Sequence, residues 1–143
     1  MQLSPQQLSR IVASLKSSDG SSKGSEKRRF SRFAIHAQVS LYTIEQQKVG
    51  RSYTAVIRDI SFGGLGLLQG SSTDKGHRFI VRLPSGPRID LYILCTAAFC
   101  RPLADGIFGI GAEFVSMVEK QLASDLDRRK EQEAKRIQNS ILE

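Results

Sequence analysis

Hydrophobic and polar positions between residues 33 and 115 follow the texture of short β-strands. Turn-favouring spacers rich in Gly, Ser, Asp, Pro or Lys separate them. The candidate strands are 36–43, 51–60, 64–68, 77–83, 88–100 and 107–115. Strands at this spacing predict a mainly β domain, either a small antiparallel barrel or a sandwich.

The strand at 107–115 has the clearest alternation. One face, which we assign to the core, holds Phe108, Ile110, Ala112 and Phe114. The opposite face holds Ile107, Gly109, Gly111 and Glu113.

Residues 1–16 predict a short amphipathic helix. Ser4 is a good N-cap, Pro5 suits the first helical position, and Gln7 completes a capping box. The apolar stripe has the spacing i, i+3, i+4, i+7 and consists of Leu8, Ile11, Val12 and Leu15. Because so short a helix is marginal alone, it should dock on its own domain, a second copy or a protein partner.

Residues 117–143 predict a long C-terminal helix, since no Gly or Pro interrupts them. A helix of about 25 residues is roughly 38 Å long, more than a small β domain covers. We expect the first half to pack on the β domain. The second half projects or pairs with another copy, which would make a homo-oligomer.

The length of 143 residues suits one domain, which we place at 28–116 between these helices. Residues 17–27 contain no apolar side chain and predict a flexible linker. The chain shows no signal-peptide pattern and no apolar stretch of the roughly 18 residues that a membrane span needs. We therefore expect a soluble, cytoplasmic protein.

The net charge of +7 is unevenly distributed. Residues 117–143 carry six basic and six acidic side chains, whereas residues 23–32 carry five basic side chains and one Glu. Such a cluster is either a solvated segment or a site for an anion, such as nucleic acid, a nucleotide phosphate or anionic lipid.

Catalytic and metal-binding patterns are missing from the sequence. His36 and His77 belong to no nucleophile or metal motif, and the glycines after Ser61 lack the dinucleotide-binding spacing. Cys95 and Cys100, five residues apart in one predicted strand, should point to opposite faces and stay unpaired. We expect no enzymatic activity and no cofactor.

Two clusters together have the chemistry of a guanine-nucleotide site. Arg28 and Arg32 stand at i and i+4 with Arg29 between them, and arginine grips phosphate and the guanine O6/N7 edge. Asp59 can accept hydrogen bonds from guanine N1–H and N2–H₂, and Ser61 can bond phosphate or base. Gly63 and Gly64 keep that surface open.

Arg28-x-x-x-Arg32 followed by Asp59-x-Ser61-x-x-Gly64 resembles the two-part signature of PilZ domains, bacterial receptors for cyclic di-GMP. The resemblance covers about 30–115 and extends to the FGIGAEF stretch at 108–114. It implies a six-stranded antiparallel β-barrel with the ligand on its outer surface.

The resemblance also implies roles for the site residues. Arg28 and Arg32 would clamp the ligand from the N-terminal loop, while Asp59 and Ser61 contact guanine and Gly64 leaves room. Lys27 precedes the motif and, with Arg29, favours a stacked pair of ligands over one, because the pair carries more phosphate charge.

The first hypothesis is therefore a cyclic di-GMP effector or adaptor in second-messenger signalling. Its ligand would order the basic loop against the barrel and so reposition the N-terminal helix toward or away from a protein target. The alternative is a non-enzymatic interaction module whose basic segment meets an acidic protein or nucleic acid. In that alternative the C-terminal helix forms the oligomer contact. Under the first hypothesis, nucleic acid is not an expected partner.

Overall fold

The computed structural model describes residues 1–19 and 33–142, with side chains described for 1–16 and 33–133. Two helices flank six strands in this part of the chain. The elements are α1 Pro5–Asp19, β1 Phe33–Glu45, β2 Lys48–Ile60, β3 Gly64–Gln69, β4 Arg78–Pro84, β5 Asp90–Ala104, β6 Ile107–Met117 and α2 Lys120–Leu142.

The six strands pair in a closed ring, which we call the strand ring. Its order is β1-β2-β3-β6-β5-β4, all neighbours are antiparallel, and β4 pairs with β1 to close it. The predicted mainly β fold with six antiparallel strands and two helices is confirmed. The closed pairing decides against a sandwich, because a sandwich would leave two separate sheets.

Alternate positions of each strand fill the interior of the strand ring. On β1 the inward residues are Ile35, Ala37, Val39 and Leu41, all buried. The inward face predicted for β6 is confirmed at Ile110, Ala112 and Phe114, whereas Phe108 is only partly buried. β6 also runs two residues beyond 115, because Met117 still pairs with Ile93.

The helix α1 belongs to the same core. Ser4 N–H donates to Gln7 Oε1 at 2.8 Å and Gln7 N–H to Ser4 Oγ at 3.1 Å, which confirms the predicted capping box. Its predicted apolar stripe packs with the ring interior at Leu8, Ile11, Val12 and Leu15. Each such buried side chain contributes roughly 1.5–3 kcal/mol to stability. Of the docking options for α1, its own domain is the one observed.

The segment before α1 and the C-terminal half of α1 are tied to two different turns. Leu3 N–H donates to Phe62 O at 2.8 Å, and Gly86 N–H donates to Ser14 Oγ at 2.9 Å. Since consecutive strands are antiparallel, the β2–β3 and β4–β5 turns lie at the same end of the ring. α1 therefore spans that end. It continues to Asp19, three residues past the predicted end at 16, because no Gly or Pro stands between Pro5 at its start and Gly20.

The helix α2 packs its first half on the outside of the strand ring, as predicted. Leu126 is buried against Tyr42, Ile80 and Tyr92, which point outward from β1, β4 and β5. The side chains beyond 133 lie outside the described ones, so the proposed oligomer contact there stays a prediction. Neither described helix has the length and apolar character to cross a bilayer.

The two cysteines do not alternate as predicted. Cys95 is buried in the ring interior and Cys100 packs against the same core, both as free thiols. A bulge between Ala97 and Phe99 inserts one residue. Beyond the bulge, each side chain therefore points to the face opposite to the one that strict alternation predicts. The prediction of opposite faces was therefore wrong, because it assumed an unbroken period of two.

The contact between α2 and the ring predicts how stability depends on alkaline pH. Tyr92 donates its hydroxyl to Asp127 Oδ1 at 2.7 Å. Burial first, and then this hydrogen bond, raises the pKa of Tyr92. Burial also raises the pKa of Tyr42 and of Tyr53. A tyrosine in the unfolded chain ionises near pH 10, so above about pH 10 the folded state holds more protons and the free energy of unfolding falls.

Tyr92→Phe removes one of these groups. At pH 8 the variant should lose about 1 kcal/mol of unfolding free energy with the hydrogen bond. Between pH 10 and 11 the unfolding free energy of the variant should fall less steeply than that of the wild type. The two slopes should differ by up to about 1.4 kcal/mol per pH unit. Urea denaturation at pH 8, 10 and 11 measures both effects. The two proteins contain the same lysines, so the ionisation of lysine contributes equally to both pH profiles and cancels in their difference. Parallel pH profiles would contradict the expectation.

Candidate functional site

A cleft of about 360 Å³ lies on the outer face of the strand ring where β2, β3, β6 and β5 run side by side. The predicted site residues within the described part of the chain all line it: Asp59, Ser61, Gly63 and Gly64. The structure therefore brings this half of the predicted site together in one place.

Asp59 reaches the outer face because of a bulge in β2. Ala55 and Ile57 point into the core, and unbroken alternation would send Asp59 inward after them. The register shifts between Ile57 and Asp59, with Arg58 as the inserted residue, and Ile60 takes the next inward position. The bulge thereby keeps a carboxylate out of the apolar interior and on the face that carries the cleft.

The turn after Asp59 is held by short-range hydrogen bonds. Ser61 donates to Gly64 O both from its backbone N–H at 2.9 Å and from Oγ at 3.3 Å. Phe114 N–H donates to Gly63 O at 2.9 Å, which fixes the turn to β6. Ser61 thus shapes the turn, while its hydroxyl oxygen keeps lone pairs that can accept from a ligand.

Gly64 and Gly66 form the floor of the cleft at positions where a side chain would meet neighbouring atoms. An ideal Cβ on Gly64 would overlap the carbonyl oxygen of Ala112, and one on Gly66 would lie 2.8 Å from Asp59 Oδ1. Neither Gly63 nor Gly64 has a positive φ, so close approach, not a left-handed backbone, explains Gly64.

The charged side chains in the described part of the cleft are of both signs. Arg58 Nε lies 3.8 Å from Asp59 Oδ2, with 41% and 18% of the two side chains exposed. Glu113 lies on the β6 side. The predicted residues Lys27, Arg28, Arg29 and Arg32 lie outside the described residues.

Sequence reasoning missed Arg58 and Phe99, which also line the cleft. Both stand at bulges, and an assumption of strict alternation misplaces such residues. One feature of the sequence could have indicated them: on the outward face of β6, Gly109 and Gly111 have no side chains and so leave room for large side chains from neighbouring strands. Among the described residues, no group of three or more His, Cys, Asp or Glu could hold a metal ion.

The glycine floor predicts a contrast between two adjacent substitutions. Gly64→Ala forces β3 away from the backbone of β6 and should cost about 1–3 kcal/mol of unfolding free energy. Gly63→Ala meets nothing closer than Gln2 Nε2 at 4.0 Å, so it should stay within about 0.5 kcal/mol of wild type. Urea denaturation of both variants measures the contrast, and equal losses would contradict it.

This chain is similar to a known domain family and to a solved structure. The PilZ domain family matches residues 26–131. No curated protein sequence matches the chain. Among solved structures, the Bacillus subtilis inhibitor of motility, MotI/DgrA, aligns at 13% identity with a TM-score of 0.45. The alignment covers 73% of this chain and 51% of that chain, so this chain spans about half the length of MotI/DgrA.

The family match covers most of the chain, including every strand and both halves of the two-part signature. This chain belongs to the PilZ domain family.

Proposed function

We propose that this protein is a cyclic di-GMP-binding effector or adaptor of bacterial second-messenger signalling. One observation carries the proposal: in a chain of the PilZ family, Asp59, Ser61, Gly63 and Gly64 all line a single cleft. The role is that of a ligand-controlled adaptor and not of a catalyst, and it suits a cytoplasmic protein.

The chemistry of the described residues supports a guanine ligand. The Asp59 carboxylate can accept from guanine N1–H and N2–H₂ together, a charge-assisted pair of hydrogen bonds. Ser61 offers a hydroxyl beside it, and the glycines let a flat base approach the backbone.

Chain connectivity supports a role for the arginines. Phe33, the first residue of β1, pairs with Ile60, and Ala34 pairs with Asp59. Arg32 directly precedes Phe33, so their Cα atoms are about 3.8 Å apart. Arg28 precedes Phe33 by five residues, which limits its Cα to about 19 Å from that of Phe33. Both guanidinium groups are thus tethered within reach of a ligand bound at Asp59.

Ligand binding would also change the position of α1. The Leu3 N–H bond to Phe62 O joins the N-terminal segment to the site turn, and the other end of α1 leads into the basic segment. In this mechanism the ligand holds the basic segment against the ring and changes the position of α1. Because the apolar face of α1 is buried in the core, a protein target meets that face only when α1 moves away from the ring.

Isothermal titration of the purified protein with cyclic di-GMP tests the proposal. We expect binding of micromolar affinity or tighter. Arg28→Ala, Arg32→Ala and Asp59→Ala should each weaken it by at least about 1.5 kcal/mol, or roughly tenfold, as expected for charge-assisted hydrogen bonds. Binding should also be specific for cyclic di-GMP over GTP and cyclic di-AMP.

Matched controls are available at two exposed positions, Asp74 between β3 and β4 and Arg51 on β2. Asp74→Ala and Arg51→Ala remove the same charges outside the cleft lining and should leave the affinity unchanged. If the wild type shows no binding, the proposal is wrong. If it binds and the three site variants bind equally well, the site is wrong. Salt-sensitive binding to nucleic acid without guanine preference would favour the interaction-module alternative.

A further inference from the structure

We infer that a second cleft on the strand ring, which we call the Arg82 cleft, binds a small ligand that carries a phosphate group. The cleft has a volume of about 240 Å³ and lies on the outer face of β1, β2, β4 and the start of β5, where one residue of α2 borders it. None of its lining residues lines the cleft of Asp59. The inference therefore goes beyond the proposed function and does not depend on it.

The regular alternation of three strands brings polar side chains together in this cleft. Thr54 pairs with Ser40, and Ser40 pairs with Arg82. The strand neighbours of Ser40 and of Arg82 are buried in the core, so these two side chains point outward, and Thr54 is exposed beside them. Adjacent strands thus present two hydroxyl groups and a guanidinium group in one row.

The guanidinium group of Arg82 is held in place by neutral partners. Its two terminal nitrogens donate to Tyr42 Oη at 3.1 Å and to Ser40 Oγ at 2.9 Å. Within the described part of the chain, no carboxylate forms an ion pair with Arg82. A guanidinium group carries five N–H donors, so these two bonds orient it and leave donors for an anion. Because Arg82 is partly buried, an anion beside it would offset the free-energy cost of removing its charge from water.

Lys130 of α2 adds a second cation to the lining. Its ammonium nitrogen lies 2.6 Å from Asp90 Oδ2, and Asp90 lines the cleft as well. The charges of Lys130 and Asp90 offset each other, so the lining keeps the positive charge of Arg82. Since Lys130 is 48% exposed, its flexible side chain is free to turn from Asp90 to a bound anion.

These groups suit a phosphate. Arginine binds two phosphate oxygens with parallel N–H donors, while hydroxyl, amide and ammonium groups donate to the others. The volume is below the roughly 300–1,000 Å³ of sites for drug-sized molecules, which favours free phosphate or a small phosphate ester over a second nucleotide. The polar residues of the lining are Gln38, Ser40, Thr54, Arg82, Asp90 and Lys130.

A ligand in the Arg82 cleft would join α2 to the strand ring. Arg82 belongs to β4 and Lys130 to α2, so a phosphate held by both adds a polar contact to the apolar one around Leu126. The structural alternative is that Arg82 only orients Tyr42 and Ser40 without a ligand, and the test must separate the two roles.

Titration of the ¹⁵N-labelled protein with inorganic phosphate at constant ionic strength provides the test. We expect the backbone amide signals of Thr54 and Arg82 to shift and to saturate, with a Kd in the millimolar range or tighter. Glycerol phosphate in a parallel titration distinguishes the two sources of the phosphate group. Tighter binding of the ester would assign the site to a phosphate ester, and equal or weaker binding to the free ion.

Variants with opposite expected effects make the test specific. Arg82→Gln should weaken phosphate binding roughly tenfold or more, as expected for charge-assisted hydrogen bonds. Lys130→Gln should also weaken it, whereas Asp90→Asn removes the negative charge from the lining and should strengthen it severalfold. Arg78→Gln on β4 and Lys120→Gln on α2 are matched controls, because both residues are exposed and outside the lining. They should leave the affinity unchanged.

The remaining outcomes would overturn the inference. Shifts that do not saturate, or that Arg78→Gln weakens as much as Arg82→Gln does, would leave Arg82 with a structural role alone. Shifts confined to the amides of Ser61 and Gly64 would place phosphate in the cleft of Asp59 instead. If Arg82→Gln does not fold, Lys130→Gln keeps the test decisive, since Lys130 lies on the surface of α2. Cyclic di-GMP affinity should be the same in Arg82→Gln and wild type, so the proposed function stands or fails separately.

Discussion

The alternation of side chains in a closed ring is the constraint on which this structure depends. In a ring of paired strands every second residue points into a shared apolar interior, and a polar residue in that phase would be buried. The chain places Asp59 outside by inserting one residue, Arg58, into β2. The candidate site therefore exists because the period is broken at a defined point.

The helix α1 links that site to the core. Its apolar stripe is as deeply buried as the strands that it covers, so it contributes to the folding of the ring. Its N-terminal segment also bonds to Phe62, between Asp59 and Gly64 on the chain. The fold and the candidate site thus share one element, since the site turn is hydrogen-bonded to the segment that leads into the helix across the ring end.

Much of the fold was predictable because it depends on local patterns. The capping box at Ser4 and Gln7 and the six strands follow from turn chemistry and periodicity, and the structure confirms them. Bulges were not predictable, because an inserted residue is defined by its partner strand. The facing of Cys100 and the place of Phe99 were missed for that reason. The motif residues Asp59 and Ser61 were identified from residue type and spacing, which do not require knowledge of the register.

The two sides of the strand ring have different tasks, and β5 takes part in both. At one end of β5, Tyr92 points outward and is buried beneath α2. Farther along the strand, Phe99 points outward and borders the cleft. Whereas α2 packs on the outer faces of β1, β4 and β5, the cleft of the candidate site lies on β2, β3, β6 and the far end of β5. Glycines of β3 and β6 line that cleft, so the placement of glycine keeps side chains of these two strands from filling it.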